Sequence, residues 1–211
     1  MKLHTKVICL GAILLFAAIM LLTGLRKPAA ITPKTVVMYL DVSDQSKDAL
    51  LVVGNLAVKA MQSMPAKTNV IVIVFANDYD IIYTGTPLKG RAAFNTKVGQ
   101  FLSKPSRELR VPNTNARVVL DHANSLSNQL PVEILAIYDG GLENGSVEAI
   151  AKIKKAARDL ASNQNIKRVS FVGLLPEHRR EWTEWLACPG SKAVVRGRND
   201  ADSVIKAVGQ W

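Results

Sequence analysis

The chain has 211 residues, 48% of them hydrophobic, and 27 Lys and Arg against 17 Asp and Glu give a formal net charge of +10. That length allows one ordinary globular domain plus an extra segment, and the apolar content excludes a disordered chain. Of the two cysteines, Cys9 lies in an N-terminal apolar run, so Cys188 stands alone in the folded part; this excludes an intradomain disulfide and a Cys-based zinc site.

Val7 to Leu25 is a run of 19 residues without a charge, close to the roughly 20 needed to cross a bilayer. It exceeds the ~7–15 apolar residues of a cleavable signal peptide, and no small-x-small cleavage site follows. An uncleaved single-pass anchor over residues 1–25 is expected. Lys2 and Lys6 precede the run and Arg26, Lys27 and Lys34 follow it, so the positive-inside rule does not decide the orientation. The short Lys-bearing tail resembles an export signal-anchor, which puts the domain outside the cytoplasm. Residues 26–34 then read as a short Pro-containing linker, and residues 35–211 as the domain.

The domain opens with VVMYLDVSDQS, Val36 to Ser46: an apolar strand, a polar turn and a helix N-terminus. A helix with a wide apolar face (Leu50, Leu51, Val53, Leu56, Ala57, Ala60, Met61) ends at Pro65. Val70 to Phe75 is a continuous apolar strand, and Asp80 to Thr84 follows too closely for a crossover helix, so the two form an antiparallel hairpin. Arg91 to Leu102 is a weaker amphipathic helix, and Lys104 to Asn115 an irregular basic loop. A helix over Ala116 to Leu126 takes Asn113 or Thr114 as its cap. Val132 to Tyr138 is a strand that runs into Asp139-Gly140-Gly141.

Ser146 starts a helix with Val147, Ile150, Ile153, Ala157 and Leu160 facing inward and Lys152, Lys155 and Arg158 outward. A strand over Arg168 to Leu174, a short helix burying Trp182, Trp185 and Leu186, a strand over Ala193 to Arg196 and a closing helix from Asp200 to Val208 complete the chain. Strands alternating with helices predict a doubly wound, mostly parallel six-stranded α/β sheet, Rossmann-like, with helices on both faces and one antiparallel edge strand.

Two aspartates, Asp41 and Asp139, each end an apolar strand. If those strands are neighbours, the carboxylates meet at the carboxyl edge of the sheet, where such folds bind ligands. Close carboxylates repel unless one takes a proton or a cation sits between them. Magnesium suits an all-oxygen set of carboxylates and waters, and Ser43 and Thr114 add hydroxyls. His122 and His178 have no metal or nucleophile setting and read as structural or surface residues. Taken singly, each of these oxygen-bearing residues is also explained by a turn or a helix cap; their order along the chain favours a site.

In that order the sequence resembles the von Willebrand factor type A (vWA) family from about Thr35 to Trp211. The family's metal-ion-dependent adhesion site is D-x-S-x-S after the first strand, a Thr in a later loop and an Asp after the fourth strand. The matching positions are Asp41, Ser43 and Gln45, then Thr114, then Asp139; Gln45 departs from the family's second Ser. The resemblance implies a Mg2+ or Mn2+ site and a non-catalytic module whose protein partner supplies an acidic residue to the ion. Arg107, Arg110 and Arg117, with Lys104, lie on the approach and would favour an acidic partner surface.

Two other classes compete. A magnesium-dependent phosphoryl-transfer enzyme would also use aspartates at strand ends, but haloacid-dehalogenase-type phosphatases need Asp-x-Asp, and residue 43 is Ser. A basic nucleic-acid scaffold follows from charge alone and lacks aromatic–basic interleaving. No nucleotide-binding or Ser-hydrolase motif is present, and no small-molecule substrate is expected.

Overall fold

A computed structural model describes residues 34–43, 47–103, 115–127, 131–141 and 146–210. The expected anchor at 7–25, and Gln45, Lys104, Arg107, Arg110 and Thr114, lie outside them. Among the described residues no helix is long and apolar enough to cross a membrane.

The run TVVMYLD forms β1 (Thr35–Asp41), and every one of its residues is buried. It is buried because it is central: β2 (Asn69–Phe75) pairs with it on one side and β4 (Val132–Ile137) on the other, both in parallel. β3 (Tyr79–Gly85) runs antiparallel to β2, as the short connection requires. β5 (Ile166–Leu174) and β6 (Ala193–Gly197) extend the other side in parallel, giving the order β3-β2-β1-β4-β5-β6.

The two-residue period of β1 feeds two cores. Val36, Met38 and Leu40 pack with α1 (Lys47–Ser63), α2 and α6 (Ala201–Lys206) on one face. Here α2 is a helical stretch of Arg91–Phe94, a π-helical turn Asn95–Gly99 and Gln100–Ser103. Val37 and Tyr39 pack with α3 (Ala116–Ser127), α4 (Val147–Ser162) and α5 (Pro176–Leu186) on the other. Tyr39 Oη lies 2.9 Å from His122 Nδ1, so His122 is structural; burial holds its pKa below the ordinary value.

Two residues expected in the core are outside it. Val147 is 86% exposed and Leu51 57% exposed. Val147 is the first residue of α4, directly after the Ser146 cap that accepts from Ala149 N at 3.2 Å; the packed face begins only at Ile150 and Ile153. Leu51 lines, with Val58, Phe94 and Leu102, an apolar groove of about 430 Å3 between α1 and α2.

The amino end of the sheet carries a buried ion pair. Glu133 has 0% exposure and accepts from Arg168 Nε at 2.8 Å and from Gly209 N at 2.8 Å. Arg168 also donates to the Ala207 carbonyl. The segment after α6 is thereby tied to β4 and β5.

Candidate functional site

The chain leaves β1 toward β2 and β3 on one side and returns to β4 on the other, so the strand order reverses between β1 and β4. Open α/β sheets bind ligands at such a point, beyond the carboxyl ends of the strands. Leu40 pairs with Ile137; Asp41 follows on one strand, and Tyr138 and Asp139 follow on the other. The two aspartates predicted to converge therefore do so, on either side of the switch point.

Asp41 ends β1 with only 6% exposure, and Ser43 has 8%. The Asp41 carboxylate accepts from Ser43 N at 2.9 Å, closing a tight turn. Burial pushes the Asp41 carboxyl up to about 7; the Asp139 carboxylate adds to this, while hydrogen bonds from Ser43 and from the Asp139 amide act against it. Val42 N donates to Phe75 O at 2.9 Å, and Asn115 N donates to Ala76 O at 2.9 Å. The residue following Thr114 is thus held at the end of β2, beside the end of β1. Arg117, in the first turn of α3, pairs with Asp121 at 3.1 Å and is half exposed.

Asp139 sits in the turn that the two following glycines indicate, and contacts from β5 and α5 that the sequence does not announce hold that turn. Its carboxylate accepts from Gly141 N at 2.7 Å, and its carbonyl accepts from Leu175 N at 2.8 Å. Trp182 Nε1 donates to Gly140 O at 3.2 Å, and the Tyr138 hydroxyl donates to Gly141 O. Burial first, then the Asp41 and Asp139 carboxylates, keep the Tyr138 phenol protonated well above its ordinary pKa. Gly140 has φ 93°, and a Cβ there would lie 2.6 Å from His178 Cβ, so only glycine suits the turn. Gly173, at φ 91° in the irregular end of β5, lets the strand approach the Tyr138 backbone, where a Cβ would lie 3.4 Å from Tyr138 O. Bulges of this kind re-aim chain beside functional sites.

Trp182 is buried, as its place on the short helix requires, and stacks on Phe171 with ring centroids 4.7 Å apart. Its second role had one sequence signal. Two glycines after Asp139 marked a tight turn whose backbone needed partners.

Asp41, Tyr138, Asp139, Gly173 and Arg198 line, together with the apolar Val52, Val53, Leu56 and Ile137, a narrow cleft of about 20 Å3, space for about one water-sized body. Among the described residues no three His, Cys, Asp or Glu side chains cluster for a metal. Two carboxylates and the Ser43 hydroxyl, completed by water, are nevertheless what a hard cation accepts. A buried carboxyl raised by burial and by its neighbour's charge fits such an ion, because a cation would relieve both penalties.

No protein-family model and no curated protein matches the chain. Solved structures do. A von Willebrand factor type A protein from Catenulispora acidiphila aligns with a TM-score of 0.57 at 14% identity, over 84% of this chain and 42% of its own. An aerotolerance-related membrane protein from Bacteroides fragilis aligns with a TM-score of 0.51 at 22% identity, over 84% of this chain and 97% of its own. Proximal thread matrix protein 1 from the mussel byssus, with a zinc-occupied MIDAS motif, aligns with a TM-score of 0.53 at 10% identity, over 84% of this chain and 47% of its own. The chain thus spans less than half of the first and third of these proteins. Sheet order, the antiparallel edge strand and these alignments agree that the protein has a vWA-like fold.

Proposed function

We propose that the protein is a binding module that recognises a protein partner through a divalent cation, with Asp41, Ser43 and Asp139 among the residues holding it. Gln45 and Thr114 complete the set by resemblance to the family motif. Mg2+ or Mn2+ suits the oxygen donors. When bound, the cation would neutralise the paired carboxylates and offer an open position to an acidic side chain of the partner. One observation carries this reading: Asp41 and Asp139 converge at the switch point, with Asp41 buried and its carboxyl pushed up to about 7. That pair is costly without a cation and natural with one. The zinc-occupied motif of the mussel protein on the same fold supports it.

The role is binding rather than catalysis. Ser43 stands where a phosphoryl-transfer aspartate would be needed, and it serves instead to close the turn on Asp41. Residues 7–25 anchor the module in a membrane, with the domain outside the cytoplasm. Arg117 at the start of α3 belongs to the approach to the ion, together with Arg107 and Arg110.

The test is capture of a partner by the full chain in detergent, with magnesium and with chelator. Capture should require magnesium and fail with Asp41→Ala. Magnesium-independent capture that survives Asp41→Ala would remove the ion from the function. Protease added to spheroplasts should digest the domain; protection until lysis would reverse the orientation.

A further inference from the structure

Arg198 lines two adjoining cavities. One is the cleft that contains Asp41 and Asp139. The other is a pocket of about 230 Å3 between the ends of β5 and β6, lined by Leu174, Arg179, Arg198, Asn199 and Asp200 among others. Both arginines are exposed. Arg179 reaches Asp200 through one long contact of 3.3 Å. A Cβ on Gly197 would lie 3.6 Å from Arg179 Nη1, so the guanidinium rests close to the backbone at the end of β6. Its contact with Asp200 uses one of five N–H donors. Two guanidinium groups against one carboxylate leave the pocket net positive, and the planar fork of arginine suits a carboxylate in particular.

We propose that this pocket is a second anchor for the partner: it takes a carboxylate from the same acidic segment that reaches the Asp41–Asp139 cleft. The proposal rests on the reading of that cleft as a cation-dependent binding site. Its geometry sets the partner's spacing. Asp139 follows β4 and Arg198 follows β6, two strands apart. Neighbouring strands lie about 4.8 Å apart, so the two anchors are separated by roughly 10 Å. An extended peptide advances about 3.3 Å per residue. The segment that fits is extended and carries two acidic residues about three positions apart, one for the cation and one for the arginines.

The experiment uses the full chain in detergent and a labelled peptide, Gly-Glu-Gly-Gly-Glu-Gly, with single-acid versions as controls. Binding is read by fluorescence anisotropy in magnesium and in chelator. In magnesium the two-acid peptide should bind about fivefold tighter than either single-acid version, the scale of one rim ion pair. The double substitution Arg179→Ala/Arg198→Ala should erase that advantage, and Arg179→Ala alone, at a residue outside the cation cleft, should reduce it and leave the magnesium dependence intact; both side chains are exposed, so the fold should persist, which a thermal melt checks. Asp41→Ala should erase the magnesium dependence. If the double substitution leaves the two-acid advantage unchanged, the second anchor is wrong while the cation site stands. If magnesium has no effect but the double substitution still weakens binding, the cation reading fails and the arginine pocket stands alone. If neither peptide class binds in either condition, both ideas fail.

Discussion

Asp41 is a strand-end carboxylate at the carboxyl edge of the sheet with only 6% exposure. Its energetics come from burial, which sequence does not report. The carboxyl ionises at about 7 in the fold and near 3.8 in the unfolded chain. Between those values the folded state holds a proton that the unfolded state has lost. Its contribution to stability is therefore full below about 3.8 and is lost as pH rises to about 7, with a slope of at most roughly 1.4 kcal/mol per pH unit. Urea unfolding in chelator at pH 5 and pH 8 should show that loss, and Asp41→Asn should flatten it. Equal pH slopes for the two proteins would refute the assignment. The same proton competes with the cation, so magnesium affinity should fall as pH drops below 7. Asp41 was legible in the sequence because strand, turn and helix N-terminus follow one another without a gap; the hydrogen bond of Trp182 was not. Its indole was visible in the sequence, but its acceptor, Gly140 O, is 42 residues away and is chosen by the fold. Trp182→Phe keeps the stack on Phe171 and loses that hydrogen bond. It should cost about 1 kcal/mol of stability and weaken magnesium binding by loosening the Asp139 turn; unchanged magnesium affinity would show that the turn holds itself.

The elements were legible where hydrophobic period and punctuation agreed. β1 and β2 announced themselves as apolar runs and β4 as one interrupted only by Glu133, and Pro65 and the Gly140-Gly141 pair marked where chain had to turn. Val147 misled because periodicity knows nothing of where a helix first meets the sheet. Glu133 went unnoticed for a related reason. A lone charge in an apolar strand looks like an edge residue until its partner, 35 residues later in β5, is known. Fully buried, Glu133 depends on Arg168 and on Gly209 N. Arg168→Ala would leave a buried carboxylate without its counter-charge and should destabilise the domain by about 3–5 kcal/mol. The double substitution Glu133→Gln/Arg168→Met should recover much of this, giving a large coupling energy in a double-mutant cycle. Magnesium affinity should be untouched in both, because the pair sits at the amino end of the sheet. Additive losses in the cycle would mean that Arg168 acts through packing instead.

At the scale of the whole molecule, alternating strands and helices gave a parallel sheet, and one short connection gave its antiparallel edge. Helix and strand periods alone left open which strand adjoined β1 on its second side. Their adjacency stood only as the condition on which Asp41 and Asp139 would meet, and the pairing of β1 with β4 meets it. Arg198 was invisible as a site residue because it reaches the cleft from the far end of β6. The switch point also makes a whole-molecule prediction. Asp41 belongs to the half of the sheet built from β3, β2 and β1, and Asp139 to the half built from β4, β5 and β6. A cation held by both would tie the halves together and relieve the charge on Asp41. Ligand at about a hundred times its dissociation constant adds roughly 2.7 kcal/mol. For a domain of this size each kcal/mol moves the melting temperature by about 2–4 °C, so saturating magnesium should raise it by about 5–10 °C over chelator. Asp41→Asn should melt higher than the parent in chelator at pH 8, because an unpaired buried charge is gone, and should show no magnesium shift. A shift that persists in Asp41→Asn would place the ion elsewhere. Identical melts of the parent with millimolar magnesium and with chelator would show that Gln45 has closed the site to cations.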